Sequence, residues 1–104
     1  MSKRRVVVTG LGLISPVGNT VAEGWKNVRD GVSGIGPIEH FDASAFTTRF
    51  AGTIRNFDIG QYLEPKEARK SDPFMHYGIA ASMQAMQDSG LTIKEADAHR
   101  YGVA

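Results

Sequence analysis

A run of β-branched residues near the start of the chain restricts the fold more than any other feature. Val6, Val7 and Val8 follow one another with no polar residue between them. Such a run is typical of a strand buried on both faces, as in a parallel sheet covered by helices. Gly10 and Gly12 then end the run in a turn-rich loop. The opening of the chain therefore predicts an α/β fold.

A second strand is predicted at the other end, over Tyr101–Ala104. Both predicted strands need sheet neighbours, because an unpaired apolar strand leaves backbone donors and acceptors exposed and invites association. Few other strands are predicted between them. We therefore expect residues 1–104 to be the N-terminal portion of a larger domain with no internal boundary. The isolated chain is expected to be marginally stable, aggregated or partly unfolded.

The first helix is predicted from its end signals. Thr20 and Glu23 have the spacing of a capping box, and Asp30-Gly31 is suited to a left-handed helix end. The residues that form its apolar stripe are Val21, Trp25 and Val28.

The middle of the chain is predicted to be mostly irregular. Residues 33–48 have the composition of a loop, and Phe50–Ile54 alternates bulky and small side chains like a short strand. Asp58 is placed to start a helical turn that reaches Tyr62.

Two further helices are predicted from their proline residues. Pro65 suits the first turn of a short helix, and Asp72-Pro73 is typical of the start of a longer one. This longer helix is expected to reach Ser89 and to be closed by Gly90. Its two apolar stripes, which predict burial on more than one side, are Met75, Ile79, Met83, Met86 and Phe74, Tyr77, Ala81, Ala85.

Composition excludes several kinds of site within these residues. The chain has no cysteine, so it has no disulfide, no cysteine-zinc site and no thiol nucleophile of its own. Its formal net charge is only +1, and no apolar stretch approaches the roughly 20 residues of a membrane span. We predict neither a nucleic-acid nor a membrane partner. His40, His76 and His99 lack the spacing of metal ligands, so no metal site is predicted.

The glycines after the valine run invite a dinucleotide-binding interpretation, which we reject. That fingerprint needs three glycines and an acidic residue about 20 positions further on. Gly10 and Gly12 satisfy two positions, but Ser15 occupies the third, and Asp30 lies in a helix-ending turn. The glycines are better explained by a tight exit from a strand, and no cofactor is predicted.

Lys66, Arg69 and Lys70 form the one charged cluster of interest. Their spacing places them on one face of the predicted short helix, within reach of a single partner surface. Glu64 and Glu67 lie beside them, so the cluster is not purely basic. It is either an ordinary solvated face or a docking patch for an acidic partner, and these residues alone favour the solvated face.

The whole chain resembles the N-terminal quarter of the β-ketoacyl-acyl-carrier-protein synthase II family, the condensing enzymes of bacterial fatty acid synthesis. The segments that carry the resemblance are Ser2–Gly12, Ser15–Val21, Ser33–Ile35, His40–Asp42, Phe50–Gly52, Lys66–Lys70, Tyr77–Ile79 and Ala85–Leu91. One departure is Ser71, where a methionine often precedes Asp72. The resemblance implies an α/β fold of the thiolase-like layered α-β-α-β-α type, incomplete in this chain.

The resemblance also implies an activity. A member of this family is a cytoplasmic, homodimeric acyltransferase that lengthens fatty acids by decarboxylative condensation of malonyl-acyl-carrier protein with a thioester on a catalytic cysteine. That cysteine, two histidines and a lysine have no counterpart here, so we expect no catalytic residue in residues 1–104 and no activity from this chain alone. In this family, basic residues that match Lys66, Arg69 and Lys70 contact the acidic helix of acyl carrier protein.

Other classes of function remain open at this point. The opening motif is shared with polyketide ketosynthases, including their non-catalytic chain-length partner subunits, and the residue at the downstream nucleophile position separates these from a synthase II. A nucleotide-binding oxidoreductase is disfavoured by Ser15. A free-standing carrier-binding module would require the chain to fold on its own.

Overall fold

The computed structural model describes residues 3–104; Met1 and Ser2, and with them the start of the Ser2–Gly12 motif, lie outside the described residues. Helices outnumber strands. In chain order the elements are α1 (Val21–Arg29), β1 (Ile35–Pro37), β2 (Phe50–Gly52), a first 3-10 helix (Ile59–Gln61), α2 (Pro65–Ala68), α3 (Pro73–Ser89) and a second 3-10 helix (Glu95–Arg100).

The end signals of α1 act as predicted. The Thr20 hydroxyl accepts a hydrogen bond from the backbone N–H of Glu23, at 3.1 Å. At the other end Gly31 has a φ of 72°, and the N–H of Val32 donates to the carbonyl of Asn27 at 2.8 Å. This pattern satisfies a carbonyl that the helix end would otherwise leave without a partner.

Helix α3 also has the predicted bounds. Pro73 occupies its first turn, and Gly90 closes it with a φ of 68°. Its predicted apolar stripes are less buried than expected: Phe74 is 72% exposed, whereas Ala80 is completely buried. The packed face of α3 therefore contains Tyr77, Ala80, Ala81, Gln84 and Ala85, which are buried or half-buried.

The extended segment before α1 lies directly on that face of α3. The backbone N–H of Leu11 donates to Asp88 Oδ2 at 2.9 Å, and that of Leu13 donates to Gln84 Oε1 at 3.0 Å. A Cβ atom added to Gly12 would lie 2.8 Å from the carbonyl carbon of Ala81. The absence of a side chain at Gly12 lets two backbones approach more closely than any other residue would allow.

The two predicted terminal strands are not paired within the described residues. Val6–Val8 is extended chain without a strand partner, and Val6 is 93% exposed. Residues 101–104 likewise form no strand. Neither segment pairs with β1 or β2, which pair with each other in the described residues.

The sheet that does form lies elsewhere. β1 pairs antiparallel with β2, with Ile35 opposite Gly52 and Pro37 opposite Phe50. The prediction of a strand over Phe50–Ile54 is confirmed for Phe50–Gly52, where the strand ends. The prediction of a loop over 33–48 is wrong at Ile35–Pro37, because Ile38 and Arg49 continue the pairing through a 2.9 Å backbone hydrogen bond.

Apolar surface is poorly covered. Among the described residues the buried hydrophobic ones are Ala43 and Ala80, and the predicted stripe residue Trp25 is 62% exposed. The accessible surface is 8770 Å², against roughly 5,700 Å² for a compact protein of this size. The radius of gyration is 17.6 Å, against about 13 Å for a compact domain. Large apolar faces are thus left without cover by these residues.

Candidate functional site

The three predicted docking residues lie around the end of α2. Lys66 is in the helix, Arg69 is its C-terminal cap, and Lys70 is in the turn that follows. The predicted helix is shorter than expected, since it ends at Ala68. Helical geometry nevertheless continues, because Arg69 has φ −68° and ψ −15°, and the N–H of Lys70 donates to the carbonyl of Glu67 at 3.1 Å.

The cations of this basic segment, Lys66, Arg69 and Lys70, are exposed but differ in their partners. Lys70 Nζ lies 3.2 Å from Glu67 Oε1. Because both side chains are mostly exposed, this ion pair contributes little to the free energy of folding. Lys66 and Arg69 form no ion pair with any residue in 3–104. Their charge is therefore the part of the basic segment that is available to a partner.

Arg69 is held in place by its own helix. Its Nε donates to the carbonyl of Pro65 at 3.2 Å. Its two terminal nitrogens form no hydrogen bond within the described part of the chain. A guanidinium fixed at one nitrogen with two donors free is suited to bidentate binding of a carboxylate.

Helix α3 anchors the basic segment from behind. His76 Nε2 lies 2.8 Å from the carbonyl oxygen of Ala68, and because a carbonyl can only accept, the Nε2–H tautomer donates. The hydroxyl of Tyr62 lies 2.9 Å from Gln84 Nε2. The ring of Phe57 stacks on Tyr62 at 6.0 Å. These contacts hold Tyr62, before the basic segment, and Ala68, within it, against α3.

Gln84 is a residue that sequence reasoning did not identify. Its Oε1 accepts from Leu13 N–H at 3.0 Å, and its Nε2 donates to the carbonyl of Asn19 at 2.7 Å as well as to Tyr62. One side chain thus joins the N-terminal segment, the loop before α1 and the stretch before α2. The available signal was the position of two amides, Gln84 and Gln87, between the apolar stripes of α3.

The residues weighed for catalysis or metal binding are not brought together. Within residues 3–104 no three histidine, aspartate or glutamate side chains form a group that could hold a metal ion. The Nε2 of His76 is engaged in its hydrogen bond with the Ala68 carbonyl oxygen. Gly10 and Gly12 contact the backbone of α3 rather than a helix N-terminus, since α1 begins only at Val21. This arrangement differs from a dinucleotide-binding turn.

No helix in the described residues has the length and apolar character needed to cross a membrane.

Comparisons with known proteins agree on one family. Residues 3–104 match the profile of the beta-ketoacyl synthase, N-terminal domain. The chain is 61% identical to a 3-oxoacyl-[acyl-carrier-protein] synthase 2 of Vibrio harveyi and 60% identical to that of Vibrio cholerae, each over all 104 residues. It is 48% identical over 103 residues to the corresponding synthase of Synechocystis. The chain spans 25% of the length of each of these relatives.

A solved structure is also similar. The ishigamide ketosynthase/chain length factor superposes with a TM-score of 0.79 at 35% identity, over 88% of this chain and 23% of that one. This likeness confirms the predicted fold class, the N-terminal part of a thiolase-like α/β fold.

Proposed function

We propose a function for this chain from the premise that it belongs to the beta-ketoacyl synthase, N-terminal domain, family. The chain supplies the N-terminal scaffold and the carrier-docking segment of a 3-oxoacyl-acyl-carrier-protein synthase 2. The complete enzyme condenses malonyl-acyl-carrier protein with an enzyme-bound acyl thioester and releases carbon dioxide. The observation that carries this proposal is 61% identity to such a synthase over all 104 residues.

We propose that the catalytic groups of that reaction lie in the three quarters of the relatives that this chain does not match. The chain has no cysteine to carry a thioester. Its contribution is therefore to position the sheet that supports the site and to bind the protein that delivers substrate. We further propose that the complete enzyme is a cytoplasmic homodimer without a cofactor.

The carrier-docking role is proposed for Lys66, Arg69 and Lys70. What supports it is their exposure, together with the lack of any ion pair at Lys66 and Arg69 among residues 3–104. Exposed cations of this kind raise the association rate with an acidic partner and are screened by salt.

The test uses a complete enzyme. This chain replaces the matching quarter of the Vibrio harveyi synthase, and Lys66, Arg69 and Lys70 are all changed to Glu. We expect the KM for acyl-acyl-carrier protein to rise about tenfold or more at low salt, and the increase to shrink at high salt. The KM for a small acyl-pantetheine thioester should stay unchanged.

A matched control carries the same change of charge elsewhere. Arg29, Lys94 and Arg100 are exposed cations on other elements and form no ion pair within the described residues. Their reversal to Glu should leave both KM values within about twofold of the parent. Equal effects of the two triple variants, or equal losses with both substrates, contradict the docking role.

The second candidate is a polyketide ketosynthase or its chain-length partner subunit, which the ishigamide structure favours. Its identity of 35% is lower than the 61% of the Vibrio harveyi synthase. A cysteine at the nucleophile position of the complete protein would exclude the non-catalytic partner subunit.

A further inference from the structure

The helix at the centre of the basic segment is too short to be stable by itself. Helix α2 has four residues, and isolated helices shorter than about 12–15 residues are marginal in water. Glu64, at its N-cap position, forms no capping hydrogen bond through its side chain. The position of α2 must therefore come from its contacts with the rest of the chain.

His76 supplies such a contact at the C-terminal end of α2. Its Nε2 lies 2.8 Å from the carbonyl oxygen of Ala68, the last residue of the helix. Within residues 3–104 this is the one hydrogen bond that joins α2 to α3. The same oxygen also accepts from the N–H of Ser71, but at the longer distance of 3.4 Å. The ring of His76 is half-buried, so water competes less for its bond than it would on an open surface.

The carbonyl of Ala68 also determines how Arg69 is oriented. That carbonyl and the nitrogen of Arg69 belong to one planar peptide unit, so a bond that fixes the oxygen also fixes the direction in which Arg69 begins. The guanidinium of Arg69 is tied to α2 in turn, because its Nε donates to the carbonyl of Pro65 at 3.2 Å. A continuous series of bonds therefore runs from the Arg69 guanidinium to the ring of His76.

We infer that His76 is a positioning residue, which holds the Ala68–Arg69 peptide and thereby presents the Arg69 guanidinium in one orientation before a partner binds. A donor that is already held in its bound geometry loses less conformational entropy on binding. His76 acts in this role through Arg69 and needs no contact with the partner. The consequence for acyl carrier protein rests on the proposed function.

The test compares His76→Asn with His76→Gln in the same chimeric Vibrio harveyi synthase. The two amides have the same donor, but that of glutamine extends one methylene group further and so can replace Nε2. We expect His76→Asn to raise the KM for acyl-acyl-carrier protein about fivefold, the factor for one neutral hydrogen bond, with kcat unchanged. His76→Gln should stay within about twofold of the parent. The KM for the small acyl-pantetheine thioester should not change in either variant.

Hydrogen exchange measures the positioning directly. The backbone amides of Ala68, Arg69 and Lys70 all donate hydrogen bonds within this segment. In His76→Asn they should exchange about fivefold faster, because local opening becomes easier by the energy of the lost bond. His76→Phe, which keeps a ring but removes the donor, should behave in the same way. It provides a second variant if His76→Asn fails to fold.

Two controls separate positioning from a general effect on the fold. His99 is exposed in the second 3-10 helix, and His99→Asn should leave KM, kcat and the exchange rates unchanged. The second control adds His76→Asn to the triple charge reversal of Lys66, Arg69 and Lys70. Because the effect on KM is transmitted through Arg69, it should disappear in that background, whereas a purely structural effect would persist.

The outcomes distinguish this inference from the proposed function. If the charge reversal raises the KM for the carrier-bound substrate and His76→Asn does not, the docking role stands and the inference is overturned. If His76→Asn accelerates exchange and the charge reversal has no effect, the docking role fails while the positioning of Arg69 stands. Equal losses with the small thioester, or a fall in melting temperature of more than about 2 °C, assign His76 to the stability of the fold and overturn the inference.

Discussion

Replacing Gly12 by alanine tests the contact between the N-terminal segment and α3. The new Cβ would lie 2.8 Å from the carbonyl carbon of Ala81, closer still to its oxygen, and 3.0 Å from the backbone nitrogen of Ala85. These neighbours are helix backbone and cannot move aside. The segment itself must therefore retreat by about 1 Å to restore van der Waals contact.

The cost follows from the hydrogen bonds on either side of Gly12. The bonds from Leu11 N–H to Asp88 and from Leu13 N–H to Gln84 are 2.9 and 3.0 Å long, so a retreat of this size breaks both. One acceptor is charged and the other neutral, and together they contribute about 2–4 kcal/mol. In a complete synthase of four times this length, that loss lowers the melting temperature by about 2–5 °C.

Gly78→Ala is the matched control, since Gly78 lies in α3 and an added methyl group there has no heavy atom within 4 Å. It removes a helix-interior glycine, so it should stabilise by about 0.5–1 kcal/mol. Calorimetry of the two chimeric synthases, with hydrogen exchange at the Leu11 and Leu13 amides, measures both effects. A Gly12→Ala protein that melts within a degree of the parent and keeps those amides protected would refute the reasoning.

Two further predictions concern this chain by itself. The pKa of Asp42 lies below its ordinary value of 3.8, because the carboxylate accepts hydrogen bonds from the hydroxyl and the backbone N–H of Ser44. Its contribution to stability is therefore present above pH 3.8 and is lost as the pH falls through the lowered pKa. A carbon-13 NMR titration should place the midpoint below 3.8 and move it upward in Ser44→Ala, and a midpoint unmoved by Ser44→Ala contradicts the assigned cause. Isolated residues 1–104 should unfold over a broad urea range with unprotected Val6–Val8 amides, since Val6 is 93% exposed. A sharp, reversible transition of a monomer with those amides protected contradicts that expectation.

Local chemistry made the helices predictable. The bounds of α1 and α3 follow from residues near each end, such as the Thr20 hydroxyl and the left-handed backbone of Gly90, and the structure confirms both. The strand β1 was not predictable in the same way. Ile35 lies among glycine, serine and proline, and its strand geometry comes from pairing with Gly52, seventeen residues further along the chain.

The candidate site was predicted in its residues but not in its setting. Charge and spacing grouped Lys66, Arg69 and Lys70, but only the family resemblance favoured a docking role, which stays a prediction. The anchoring of their segment through His76 and Gln84 depends on how α3 packs.

The contacts of Gly10 and Gly12 with α3 determine the register of the N-terminal segment along the helix. Two residues of extended chain advance about 6.6 Å, and four residues of helix advance about 6 Å. The two repeats are nearly commensurate, so Gly10 meets Ala85 and Gly12 meets Ala81. A displacement by a single residue would bring Leu11 against the helix backbone. The chain that follows Val6 is thereby held on α3 in a single register.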